Sequence, residues 1–148
     1  MLDTSPLTAA VERFADRLRA APQSRLQQGA AEVALDLARE LSLRAQRLEA
    51  AAAGAGDGAG AAPARTMPDA GIFVVGDQLA VAGLDLAEAL HGAEAGAAGR
   101  AGTRGAQDGT EAREAQDAPG APDAAKAPSE MLDEAVRLVD QAEAGALR

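Results

Sequence analysis

The large apolar side chains of this chain are few, and they lie in four separate stretches. Leu, Ile, Val and Phe together make up 26 of the 148 residues, whereas alanine alone makes up 41. So low a bulky apolar content is near the level at which disorder is suspected, so we expect folded structure only where these residues cluster. Trp and Tyr are absent, and a small core favours stabilisation by self-association or by a partner.

Composition argues against several classes of function. Without cysteine, the chain has no disulfide, no thiolate nucleophile and no Cys-ligated zinc site. The net charge of −9 comes without a basic patch, which argues against binding to nucleic acid or to anionic lipid. No signal-peptide pattern and no apolar run long enough to cross a bilayer is present, so we expect a cytoplasmic protein.

Residues 1–53 are predicted to form an N-terminal helical hairpin. Ser5 followed by Pro6 is typical of a helix start, and Pro22 should end this first helix near Ala20. Apolar residues at helical spacing form its buried face: Leu7, Val11, Phe14 and Leu18.

The second helix of this hairpin is predicted to start at a capping box, Ser24 to Gln27. Its apolar seam consists of Leu26, Ala30, Val33, Leu37, Leu41, Ala45 and Leu48. Leu35 and Leu43 fall off this seam, so they are either surface leucines or a second face that meets another chain. A flexible Gly/Ala linker is predicted over residues 54–65.

Residues 66–92 are predicted to form a third helix that packs on the hairpin, with a capping box at Thr66 to Asp69. A seam at alternating spacings of four and three follows: Ile72, Gly76, Leu79, Gly83, Leu86 and Leu90. Its two glycines would let a neighbouring helix approach closely. The alternative is a β-hairpin with strands at 72–75 and 79–82, because Ile-Phe-Val-Val favours strand. We prefer the helix, since an isolated two-stranded hairpin is marginal in water.

The C-terminal part is predicted to be a disordered linker over 93–128 and an amphipathic helix over 129–148. The linker has no large apolar residue with which to offset the entropy of ordering. The helix carries an apolar stripe: Leu132, Ala135, Val136, Val139 and Ala142. It can dock on its own bundle or reach another chain. The predicted fold is therefore all-α, a small alanine-rich antiparallel helical bundle with a tethered C-terminal helix.

No catalytic, cofactor-binding or metal-binding residue is predicted. His91 is the only histidine, and we interpret it as a surface residue at a helix end. Asp77 and Asp85 are interpreted either as part of a solvated face or as contacts for arginines of the first two helices. Arg13 and Arg17, one turn apart, are the expected complement. An enzyme would need one of these two aspartates in a concave pocket with a raised pKa.

The sequence therefore predicts a non-enzymatic helical interaction protein that self-associates or binds a partner helix. The residues predicted to contact the partner are Ile72, Gly76, Leu79, Gly83, Leu86, Leu90, Leu132, Val136 and Val139. We expect a protein partner or a homo-oligomer, and no nucleic acid, membrane, small-molecule substrate or cofactor. The alternative is peripheral membrane association through the apolar segment 70–84.

Overall fold

The structure, a computed structural model, describes residues 1–54, 64–104 and 126–148, the last five residues of the second range by backbone only. Its elements are α1 (Ser5–Ala20), α2 (Gln23–Arg25), a π-helical turn (Leu26–Ala30), α3 (Ala31–Ala52), α4 (Val75–Arg104) and α5 (Pro128–Ala146). No strand occurs in the described ranges, so the all-α class is confirmed and the strand alternative for 72–82 is wrong. Most of the predicted linker 54–65 lies outside the described residues.

The first helix has the buried apolar face and the C-terminal end that its sequence predicts. Its four large apolar residues are all buried, with Phe14 fully enclosed, and the helix ends at Ala20 before Pro22. Its start differs from the prediction. Ser5 is the first helical residue rather than the cap, and its backbone N–H donates to the Asp3 carboxylate at 3.0 Å. The Asp3 side chain therefore satisfies the N–H of Ser5 itself. The N–H groups of Leu7 and Thr8, which a Ser5 cap would be expected to satisfy, donate instead to the carbonyl oxygen of Thr4.

The passage from α1 to α3 contains a break that the apolar pattern does not reveal. Gly29 has a φ of 127°, a conformation that glycine adopts readily and other residues rarely do. Beside it, the N–H of Ala31 donates to the carbonyl of Leu26, which makes one π-helical turn. The helix also begins at Gln23 and not at the predicted Ser24 cap. Most of the predicted seam stays buried across the break, and Leu35 is buried with it.

The four longer helices pack around one core, some neighbours antiparallel and others parallel. Arg19 at the end of α1 meets Asp77 at the start of α4, so these two helices are antiparallel. Arg17, also near the end of α1, meets Glu143 near the end of α5, so α1 and α5 are parallel. The last turns of α3 lie beside the second half of α4, so α3 and α4 are parallel. α1 and α3 face each other across the core, with α4 on one side and α5 on the other.

Because α3 and α4 follow each other in the chain and are parallel, the connection between them must run back from the end of α3 to the start of α4. Residues 64–71 are part of this connection. We call these residues the strap. Gln46 holds the strap by two hydrogen bonds to the backbone of Arg65, at 2.7 and 2.9 Å. Arg39 donates to the carbonyl of Met67 at 2.9 Å. Side chains of α3 hold the strap in a non-helical form. The predicted capping box at 66–69 is therefore wrong, and α4 begins only at Val75.

Glycines on α4 bring it close to α1, as the sequence predicts. A Cβ atom at Gly83 would lie 2.7 Å from Cγ1 of Val11, and one at Gly76 would lie 3.2 Å from the carbonyl oxygen of Ala15. At these two glycines α4 therefore packs directly on the Val11 side chain and on the backbone of α1. The helix also continues past the predicted end at residue 92 to Arg104. The predicted linker 93–128 thus begins too early, and residues 105–125 lie outside the described part.

Candidate interaction surfaces

The residues predicted to bind a partner lie mostly inside this chain's own core. Seven of the nine are buried: Gly76, Leu79, Gly83, Leu86, Leu90, Leu132 and Val139. Ile72 and Val136 are half-buried against the same core. A heptad seam fits an intramolecular helix as well as a foreign one, and here α1 and α3 occupy it. These positions are therefore not an open surface of the folded chain, which corrects the prediction.

Four exposed large apolar residues lie on the opposite side of α4 or in the turn just before it. Phe73 is 72% exposed, Val74 40%, Val81 54% and Leu84 53%. We call these four residues the α4 outer face. Val81 and Leu84 are three residues apart on α4, which places them on the same side of the helix, and Val74 immediately precedes its first residue. Phe73 lies in the turn just before it, where the N–H of Val74 donates to Gly71 at 3.1 Å.

Three carboxylates lie along the α4 outer face. Asp77 is paired with Arg19 of α1, with 2.6 Å between Oδ1 and Nη2. Asp85 and Glu88 are exposed and form no hydrogen bond or ion pair with any described residue. Asp77 therefore pairs with an arginine of the first helix, as the second interpretation expected, whereas Asp85 is solvated. Neither aspartate lies in the groove described below. The outer face combines exposed apolar side chains with unpaired negative charge.

The arginines expected to meet the acidic residues of α4 bind α5 instead. Arg13 contacts Asp140 at 2.8 Å and Glu143 at 3.0 Å, and Arg17 contacts the other oxygen of Glu143 at 2.7 Å. Burial tends to raise the pKa of Glu143, but the hydrogen bonds from Arg17 and Arg13 outweigh it and hold that pKa below its usual value. The expected pairing with Asp77 and Asp85 is therefore wrong for these two arginines.

A second ionic cluster fixes the start of α5 on α3. Nε of Arg44 donates to Glu40 at 2.8 Å, and Nη2 of the same arginine donates to Glu134 at 3.1 Å. Lys126 donates to the other oxygen of Glu134 at 2.8 Å. The hydrogen bonds from Lys126 and then Arg44 hold the pKa of Glu134 below its usual value. The helical neighbours Glu40 and Arg44 thus form the pair that their spacing of four predicts.

This second cluster lies at one end of a groove of about 830 Å³ between α3, α4 and the start of α5. Leu48, Leu86 and Met131 contribute large apolar side chains to its lining. Small residues of α4, including Ala93 and Gly96, line another side of the groove. No sequence pattern predicts this groove, since it depends on how the end of α3, the second half of α4 and the start of α5 lie beside one another.

His91 has a structural contact that the sequence does not reveal. Its ring is exposed on α4, with Nε2 at 3.1 Å from the carbonyl oxygen of Leu2 and 3.3 Å from the Thr4 hydroxyl. One turn further on, Glu94 accepts a hydrogen bond from the backbone N–H of Leu2. His91 therefore helps to hold the N-terminal residues on α4. It lies within that helix, so the predicted position at a helix end is wrong.

Within the described ranges, no group of three or more His, Cys, Asp or Glu side chains is arranged to hold a metal ion. No helix of those ranges combines the length and the apolar character needed to cross a membrane. Comparison of the chain with protein families, with curated proteins and with solved structures found no match. The candidate surfaces therefore have to be interpreted from their own chemistry.

Proposed function

We propose that this chain is a non-enzymatic helical interaction protein that binds a partner helix on the α4 outer face. The observation that carries the proposal is the set of exposed large apolar residues on α4 and in the turn before it, since the other side of α4 already packs on α1. Exposed contiguous apolar surface is a mark of interaction sites in soluble proteins. The fold itself does not need Val81 or Leu84, because α4 is anchored through its buried seam.

The charges beside this set favour a basic amphipathic helix as the partner. Asp85 and Glu88 have no cation among the described residues, and Lys or Arg residues on a partner would supply it. A second copy of the chain would bring the same carboxylates together, which is unfavourable. Anionic lipid would be repelled in the same way. We also retain a cytoplasmic location as part of this proposal.

The test is the binding of two designed helical peptides by fluorescence anisotropy at 0.15 M salt. Both carry the same row of leucines, flanked by lysines in one and by glutamates in the other. The lysine peptide should bind more tightly, and the double variant V81S/L84S should weaken it at least about tenfold by removing buried apolar area. D85N/E88Q should weaken it by a smaller factor and make the affinity less dependent on salt.

A matched control is Ala9→Ser, an exposed substitution on α1 rather than on α4, which should leave binding unchanged. Equal affinity for the two peptides would contradict the charge argument. Light scattering that shows a dimer, lost in V81S/L84S, would replace the partner helix by a second copy. If V81S/L84S bound the lysine peptide as tightly as the parent chain does, the binding site would lie elsewhere.

The sequence-based alternative, peripheral membrane association through residues 70–84, involves the same exposed Phe73 and Val74. The acidic neighbours limit it to uncharged lipid. Co-sedimentation with phosphatidylcholine vesicles measures it directly, with the double variant F73S/V74S as the comparison. Binding that this variant abolishes would favour the membrane over a partner helix, whereas the absence of co-sedimentation would exclude uncharged bilayers.

A further inference from the structure

We propose that the groove between α3, α4 and α5 binds a single-chain amphiphile with an anionic head group, of the long-chain carboxylate type. We call it the end groove. Its volume of about 830 Å³ is within the range of small-molecule sites. The sequence alone predicts no small-molecule ligand, and this inference comes from the fold. It involves no residue of the α4 outer face and does not depend on the proposed partner helix.

The interior of the end groove suits a hydrocarbon chain. Leu48, Leu86 and Met131 line it together with small residues, so its walls are mainly carbon. Gly92 and Gly96 of α4 face it, and no atom of the described residues lies within 4 Å of the position that a Cβ would occupy at either glycine. Among the described residues, the space beside this side of α4 is therefore open, and an apolar chain lying in it would be removed from water.

The charged residues of the end groove suit an anionic head group. Among the described residues, Arg44, Arg47 and Lys126 line the groove and no carboxylate does, although the chain as a whole carries a net charge of −9. Glu40 and Glu134, which pair with Arg44 and Lys126, lie outside this lining. A ligand in the groove would therefore meet cationic side chains first. Because Arg44 is held by hydrogen bonds on Nε and Nη2, its position is fixed before a ligand arrives.

The experiment is isothermal titration calorimetry of the full chain with dodecanoate below its micelle-forming concentration. Dodecyltrimethylammonium serves as the second probe, with the same tail and the opposite charge. Dodecanoate should bind at one site and the cationic probe at least about tenfold more weakly. Equal affinity for the two probes, or no heat of binding with dodecanoate, would overturn the proposal.

Two glycine substitutions locate the site. Gly96→Leu places a side chain in the open space of the groove and should raise the Kd for dodecanoate at least about tenfold. Gly99→Leu is the matched control, because Gly99 lies on the same helix, is exposed, has the same open space at its Cβ and does not line the groove. Both variants should fold, since Leu favours helix over Gly, and circular dichroism checks this.

Two further variants test the head-group contact and the independence of the end groove from the α4 outer face. Arg47→Gln should weaken dodecanoate by a few-fold and leave dodecyltrimethylammonium unchanged or tighter. V81S/L84S, which alters the α4 outer face, should leave dodecanoate binding unchanged, so failure of the end groove and failure of the partner-helix proposal can be told apart. If V81S/L84S weakened dodecanoate as much as Gly96→Leu does, the amphiphile would be binding elsewhere and the proposal would be overturned.

Discussion

Gly83 is the residue at which α4 approaches the side chains of α1 most tightly. A Cβ there would lie 2.7 Å from Cγ1 of Val11, and Val11 is buried and β-branched, so it has little freedom to move. We expect Gly83→Ala to lower the free energy of unfolding by about 1–2 kcal/mol, because overpacking outweighs the gain of about 1 kcal/mol in helix propensity. Urea unfolding followed by circular dichroism measures this.

The control for this prediction is Gly92→Ala on the same helix, where nothing lies within 4 Å of the added atom. This variant should be more stable than the parent chain by up to about 1 kcal/mol. The double variant G83A/V11A should recover part of the lost stability if steric overlap is the cause. A Gly83→Ala variant as stable as Gly92→Ala would show that α1 and α4 do not pack this closely.

Residue patterns in the sequence predict which side chains are buried better than they predict their partners. The burial of Phe14 and Leu18 follows from spacing alone, because an amphipathic helix has one apolar face in any fold. The partners of Arg13 and Arg17 could not be predicted, since a charge at a helix surface pairs with whichever acidic residue the tertiary structure brings near. Glu143 is more than a hundred residues away in sequence.

At the scale of elements, α4 is anchored over only part of its length. Its residues up to Leu90 supply the buried seam, whereas 95–99 are exposed. We expect backbone amides from Leu79 to Leu90 to exchange with deuterium much more slowly than those of 95–99, because the outer turns have few buried contacts and contain two glycines. Hydrogen exchange with mass spectrometry measures this, and equal protection over both parts would show that another contact covers the outer turns.

The strap is the second element whose behaviour can be tested. Gln46→Ala removes both hydrogen bonds to the backbone of Arg65. We expect faster trypsin cleavage after Arg65, with a loss of less than about 1 kcal/mol in global stability, because the bonds are exposed and the strap contributes little to the core. Mass spectrometry of a digestion time course measures this. Gln141→Ala, at an exposed position on α5, is the control, and an unchanged cleavage rate in Gln46→Ala would contradict the strap.

The sequence predicts helices well where the apolar period is regular, and their ends less well. α1 ends where Pro22 predicts, because proline acts on its immediate neighbour. α4 starts at Val75 and not at 66 because Gln46 and Arg39 hold the strap in a non-helical form, a tertiary effect with no local signal. The kink at Gly29 had no signal either, since one glycine inside a periodic pattern is usually tolerated.

At the scale of the whole molecule, the two proposed surfaces lie on different parts of one helix. The α4 outer face covers the first turns, where α4 is packed against α1, and the end groove involves the turns after Leu86. The core requires α4 only as far as Leu90. The rest of the helix is therefore not explained by stability, and the sequence could not predict the groove because it depends on how α3, α4 and α5 are aligned.

The ion pairs that hold α5 in place make the stability of the whole molecule sensitive to acid. The pKa values of Glu143 and Glu134 are held below their usual values by arginine and lysine partners. Between the folded pKa and the unfolded value of about 4.3, the unfolded chain binds more protons, so stability rises with pH. The contribution of both carboxylates is thus present above about pH 4.3 and is lost as the pH falls through the folded pKa. We expect urea unfolding to show a constant free energy near neutral pH and a decline below about pH 4.3.

Glu143→Gln tests whether this decline comes from the contact between α1 and α5. Near neutral pH the variant should be less stable by about 1–3 kcal/mol, because Arg13 and Arg17 lose their shared anion. The difference should shrink as the pH falls, because acid removes the same charge from the parent chain. Asp140→Asn is the control, since this carboxylate is 54% exposed and its exposed pair is worth less than about 1 kcal/mol. A Glu143→Gln variant whose stability stays parallel to that of the parent down to about pH 3, below the usual range of carboxylate pKa values, would show that another group controls the acid response.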